Sequence, residues 1–144
     1  MTVFVLKQQD LYRGNLILVN RDHPFRQPEQ EPQLEQAGQV KLERQAALVF
    51  QHFMSSQGFW DKIQTVSGWR SQQEQQQIYQ DSLAENGPEF TAQYVALPGH
   101  SEHQTGLAVD VGLAGQEVDF IRPEFPYDGC CQRFREKGIE YGFI

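Results

Sequence analysis

Gly99-His100-Ser101-Glu102-His103-Gln104-Thr105-Gly106-Leu107-Ala108-Val109-Asp110 is the most chemically informative run in this 144-residue chain. It holds two side chains competent to bind a metal, His103 and Asp110. A neutral imidazole and a carboxylate are both ordinary zinc ligands, and a catalytic zinc takes three protein ligands and a water. Thr105-Gly106 reads as a turn. Beyond it Leu107, Val109, Val111 and Leu113 alternate with Ala108, Asp110 and Gly112, which is the period of a strand. Asp110 then shares a face with two small residues, which leaves room for an ion and a substrate. The apolar face packs on the core. A strand carboxylate beside a turn imidazole is also what a plain hydrogen-bonded pair looks like, so the spacing leaves both readings open.

Upstream, Lys62-Ile63-Gln64-Thr65-Val66-Ser67 reads as a strand running into Ser67-Gly68-Trp69-Arg70-Ser71. A helix follows from about Ser71 to Glu85, with Ser71 as N-cap and Glu74 three residues on, a capping box. Its glutamines make a solvated face. Asn86-Gly87-Pro88 ends it, and a short helix over Glu89–Tyr94 precedes the loop that delivers Ser101 and His103. Arg70 at the strand end suits a salt bridge or, at the mouth of a metal site, a clamp for a developing oxyanion. The Ser101 hydroxyl suits a substrate carboxylate or carbonyl, and equally a turn.

Further out, residues 1–20 read as an extended lead-in with an apolar run, Leu16–Asn20, and Pro24 keeps His23 out of the helical region. Residues 25–38, rich in Gln, Glu and Pro, form a loop. A helix spans about Gln39–Gln57, with Val40, Ala47, Phe50 and Met54 on one face beside Ala46, Val49 and Phe53, closed by Gly58. His52 on this helix is read as a surface residue. Residues 114–127 form a loop. A last helix runs from about Gly129 to Lys137, punctuated by Gly138 and Gly142, and Tyr141–Ile144 look like the first residues of a strand.

At 144 residues the chain makes one domain, 1–144, with a real core. The net charge of −7 argues against a nucleic-acid partner or a charged membrane surface. Cys130 and Cys131 are adjacent, too close along the chain for ordinary disulfide geometry, and read as helix residues with at least one buried. No signal peptide is visible and no run approaches a transmembrane span.

Ser101, His103, Gly106, Ala108 and Asp110 fill every fixed position of the Ser-x-His-x-x-Gly-x-Ala-x-Asp signature, and the chain resembles the D-alanyl-D-alanine metallopeptidases of the VanY and VanX type. A second family hallmark is present in Ser67-Gly68-Trp69-Arg70-Ser71, with Gln75 and Ile78-Tyr79 following. The opening phrase Leu16–Pro24 also looks like that of VanY-type domains. The resemblance implies an α+β fold, a small antiparallel sheet packed by helices, shared with Hedgehog signalling domains. It implies Zn2+ held by His103 and Asp110, Arg70 as oxyanion clamp, and Ser101 and Gln75 as substrate contacts. The substrate class it implies is peptidoglycan peptides ending in D-Ala-D-Ala, acted on by a monomer at the bacterial cell envelope, with the cytoplasm as the alternative. In the family the third ligand and the catalytic base come from a Glu-x-x-His motif downstream of the last helix. No histidine follows His103 here. The expectation is therefore a domain truncated at its C-terminus, inactive as it stands. An L,D-carboxypeptidase and a non-catalytic peptidoglycan-binding module on the same fold are the alternatives.

Overall fold

The computed structural model describes residues 3, 5, 7, 17–26 and 31–144. The lead-in up to residue 16 lies, apart from residues 3, 5 and 7, outside the described residues, as do residues 27–30 of the Gln/Glu/Pro loop. The described chain forms two compact units that interleave in sequence: residues 1–31 with 70–104, and residues 32–69 with 105–144. No helix among the described residues is long and apolar enough to cross a membrane.

The second unit holds the sheets and the core. β1 (Leu34–Ala37) and β2 (Val40–Glu43) form an antiparallel hairpin in which Ala37 faces Val40. Gly38 has φ 64 at the first turn position, where a positive φ suits a two-residue hairpin. This hairpin corrects two expectations. Residues 34–37 are a strand rather than part of a loop, and Val40 belongs to β2 rather than to the helix. α1 accordingly begins at Arg44 and runs to Ser56, with the Glu43 side chain accepting from the Ala46 N–H. Ala47, Phe50, Phe53 and Met54 are its buried face, whereas Val49 is exposed. At its end the Phe59 N–H reaches the Met54 carbonyl at 2.9 Å and the Gly58 N–H the Ser55 carbonyl at 3.3 Å, which satisfies the last turn.

β3 (Ile63–Ser67) pairs antiparallel with β4 (Asp110–Leu113). The strand expected from Leu107 starts only at Asp110; Val109 and Val111 still pack on the core. α3 (Gly129–Glu140) extends past the expected end, because Gly138 lies inside it. A Cβ there would meet Phe143 at 3.6 Å, an ordinary contact, and Gly138 is a regular helix residue and not a break. The helix closes through the Phe143 N–H to the Gly138 carbonyl and the Gly142 N–H to the Ile139 carbonyl, at 3.0 and 3.1 Å. Residues 141–144 are thus the helix's cap and not the start of a strand. Phe143 stacks on Phe53 instead, at 6.0 Å between ring centres. Cys131 is buried and Cys130 half-buried, both as free thiols, and burial followed by the Cys130 thiol alongside pushes the Cys131 thiol up.

The first unit is built on α2 (Gln72–Tyr94), broken at Gly87 where φ is 82 and ψ 172. The expected two helices are there, joined across that break. The capping box is present in both directions: Glu74 N–H to Ser71 Oγ at 3.1 Å, and Ser71 N–H to Glu74 Oε2 at 2.7 Å. Across the break the buried hydroxyls of Ser82 and Thr91 meet at 2.7 Å.

Candidate functional site

Arg70, Gln75, Ser101 and His103 fall in the first unit and Asp110 in the second. In the first unit the Arg70 main-chain N–H donates to the His103 carbonyl at 3.1 Å, which joins the chain leading into α2 to the turn that holds the imidazole. The Arg70 guanidinium donates from Nη1 to Gln75 Oε1 at 3.1 Å, and Gln75 Nε2 donates to the Ala96 carbonyl at 2.9 Å. Gln75 is 1% exposed. Gln75 thus stands apart from the solvated glutamine face expected of α2. Gln75 faces inward because both ends of its amide find partners there, which removes the cost of burying it.

His103 lies in a short 3-10 turn, Glu102–Thr105. The Ser101 Oγ accepts from the His103 N–H at 3.3 Å, so this side chain shapes the turn and keeps its own hydroxyl proton as a donor. Gln104 is buried beside it, with Oε1 accepting from the Gly99 N–H at 2.8 Å and Nε2 donating to Gln72 Oε1 at 2.8 Å. Gln72 and Gln104 carry no motif that marks them in the sequence. The one signal for them was Gln72 standing three residues before Gln75, on the same side of a helix.

His23 and His100 both lean on Asn20. The His23 Nδ1 lies 2.9 Å from Asn20 Oδ1, and the His100 Nδ1 lies 3.0 Å from the Asn20 carbonyl.

In the second unit Asp110 opens β4 opposite Ser67. The ladder shifts register between Thr65 and Ser67, an irregularity of the kind that re-aims side chains at sheet ends. The small-residue face was expected to leave space for ion and substrate. At Gly112 it does not, since a Cβ there would lie 2.7 Å from a Val118 methyl, which fills that space. Ahead of Asp110, Gly106 has φ 77 and its carbonyl accepts from the Glu43 N–H at 2.8 Å. A Cβ on Gly106 would come 2.9 Å from that same nitrogen, so the signature's glycine is needed for a close approach of two backbones. His52 is exposed on α1 beside Tyr141. A cavity of about 660 Å3 by the loop after β4, lined by Leu113, Val118, Asp119, Arg122 and Pro126 among others, holds none of the five candidate residues.

His103 and Asp110 supply one imidazole and one carboxylate, the donor types zinc accepts. Among the described residues no three His, Cys, Asp or Glu side chains gather as a ready cluster. Each donor, taken by itself, is of a kind that fits zinc.

Residues 39–144 match the VanY family, D-alanyl-D-alanine carboxypeptidase. The chain is 39% identical over 136 residues to the bifunctional D-Ala-D-Ala dipeptidase and D-Ala-D-Ala carboxypeptidase VanXYC of Enterococcus gallinarum, with 91% of this chain and 72% of that protein covered. Among solved structures it is similar to the vancomycin-resistance D,D-dipeptidase VanXYg in complex with a D-Ala-D-Ala phosphinate analogue. There the TM-score is 0.85 and the identity 45%, over 95% of this chain and 56% of that one. It is also similar to a mutant of the vancomycin-resistance D,D-pentapeptidase VanY from a VanB-type cassette, in complex with Zn(II). That match has a TM-score of 0.57 and 33% identity, over 70% of this chain and 62% of the other. The chain thus spans less than two thirds of the length of both structures. The expected α+β fold is the one these relatives share.

Proposed function

Because the chain belongs to the VanY family of D-alanyl-D-alanine carboxypeptidases, we propose that it serves a zinc-dependent D,D-carboxypeptidase reaction, release of the terminal D-Ala from peptidoglycan stem peptides or their precursors. The observation that carries this reading is the link between the family's two motifs, Arg70 main chain to His103 carbonyl, with the guanidinium held by Gln75. His103 and Asp110 are the residues we assign to the metal. Zinc, when bound, polarises the scissile carbonyl and activates water.

The chain's own groups do the rest. Arg70 directs its planar donors at the oxygen that gains charge when the carbonyl is attacked, a contribution realised in the transition state. Gln75 orients that guanidinium. Ser101 shapes the His103 turn and offers its hydroxyl proton to a substrate carbonyl or carboxylate. Assembled stem peptides lie outside the membrane, so we assign the activity to the cell envelope, with the cytoplasm, where precursors are made, as the alternative.

The test is D-Ala release, with excess zinc, from a pentapeptide ending in D-Ala-D-Ala and from a tetrapeptide ending in one D-Ala. Residues 1–144 contain no histidine after His103. On their own they are expected to bind zinc weakly, with His103→Ala weakening it further, and to give no measurable release. The same residues continued into a segment bearing a Glu-x-x-His motif are expected to cleave the pentapeptide. Release from the tetrapeptide alone would move the activity to an L,D bond. Robust turnover by residues 1–144 would place the base and third ligand among His23, His52 and Glu102. Zinc affinity indifferent to His103→Ala would sink the ligand assignment.

A further inference from the structure

Gln104 adjoins His103 yet is 3% exposed, which is unusual for an uncharged polar side chain with no reaction of its own to perform. Its amide is used at both ends, toward Gly99 and toward Gln72. Its main-chain N–H donates to the Ser101 carbonyl at 3.1 Å, so the same residue also closes the turn. Gln72 and Gln75 are three apart on α2 and therefore neighbours on one face. One helical turn thus holds the Arg70 guanidinium through Gln75, and the Gly99–Gln104 segment through Gln72. The main-chain bond from Arg70 to His103 completes a closed ring of contacts.

We propose that Gln104 is a positioning residue, whose side chain fixes the turn carrying Ser101 and His103 to the same turn of α2 that orients Arg70. The inference rests on the assignment of Arg70 and His103 made above. A mere filler of the space at position 104 would be replaced well by leucine. A positioning amide would not, because leucine can neither accept from Gly99 nor donate to Gln72.

The experiment compares Gln104→Leu, Gln104→Glu and Gln72→Leu in residues 1–144 by amide hydrogen exchange and by cobalt(II) titration followed through visible absorption. In Gln104→Leu the Gly99 amide is expected to lose protection by roughly tenfold, as one lost hydrogen bond would give. The Arg70 amide, which Gln104 does not touch, is expected to lose protection with it, and cobalt affinity to fall about tenfold, the scale of a lost outer partner. Gln104→Glu keeps an acceptor for Gly99 and takes a bond from Gln72 once that amide turns over, so it is expected to stay close to wild type. Gln72→Leu is at an exposed position that tolerates the change and carries the test if Gln104→Leu does not fold. It is expected to lower Arg70 protection while leaving the Gly99 amide bonded. Arg70 protection unchanged in the leucine variants would overturn the proposal. Cobalt binding unmoved by His103→Ala would fail the ligand assignment instead, and the amide protections would still decide on Gln104.

Discussion

A guanidinium at position 70 presents a planar fork of donors, where an ammonium presents a point charge. In a turnover-competent form of the protein, Arg70→Ala is expected to lower kcat by about two to three powers of ten with zinc still bound. Arg70→Lys should restore only part of it. An unchanged kcat with a raised KM would reduce Arg70 to a substrate anchor. Asp119 makes a separate, pH-dependent prediction. Its Oδ1 accepts from the Arg122 N–H at 3.0 Å and the Ile121 N–H at 2.9 Å, and these two bonds, Arg122's first, hold the carboxyl below its ordinary value. A carboxyl depressed on folding stabilises the fold above its ordinary pKa and loses that contribution as pH falls through the lower folded value. Asp119→Ala should therefore differ from wild type in Tm near neutrality, and the two melting curves should converge in strong acid. At this scale the signature is legible in the sequence as a motif, since its residues stand close together along the chain. The roles of Gln72 and Gln104 are not, because an amide's partners are set by folding and glutamine is equally at home in solvent.

Helix α2 is the element that spells itself out most fully. Ser71 and Glu74 stand at the spacing of a capping box, and both of its hydrogen bonds form. Ser71→Ala is expected to cost about 1 kcal/mol of stability in denaturant unfolding. A cost near zero would mean that the main-chain bond from Arg70 to His103 already fixes the start of the helix. The hairpin ahead of α1 was hidden by contrast. Each of its strands is four residues long, and Val40, seven residues before Ala47, falls on the apolar face of the following helix as readily as on a strand. Only the pairing of Ala37 with Val40 across Gly38 separates the two readings, and pairing is not a property of either strand alone. Gly138 misled in a similar way. Glycine ends helices by adopting positive φ, but Gly138 keeps a helical backbone and the chain turns out only at Gly142, where φ is 89.

The core of the second unit centres on Phe53, which is fully buried and meets the rings of Phe50, Phe59, Phe134, Tyr141 and Phe143. Phe53→Ala is expected to cost about 3–5 kcal/mol, measurable as a lowered denaturant midpoint with secondary structure retained below it. The helical period placed Phe50 and Phe53 inward from sequence alone. The interleaving of two units was not legible, because the glutamine-rich run that opens residues 70–104 reads as the solvated face of a helix and does not say which unit that helix belongs to. Ser67 and Asp110 are partners in one ladder although about forty residues of chain intervene. On a ribosome the hairpin and α1 are finished while β4 is still untranslated. β3, whose residues alternate between buried and half-buried, must then wait with its ladder edge unpaired. At roughly 5–20 residues per second that wait lasts about two to nine seconds, during which nascent chains on one messenger could pair with each other's β3. The strand that seats Asp110 is also the strand that ends this exposure.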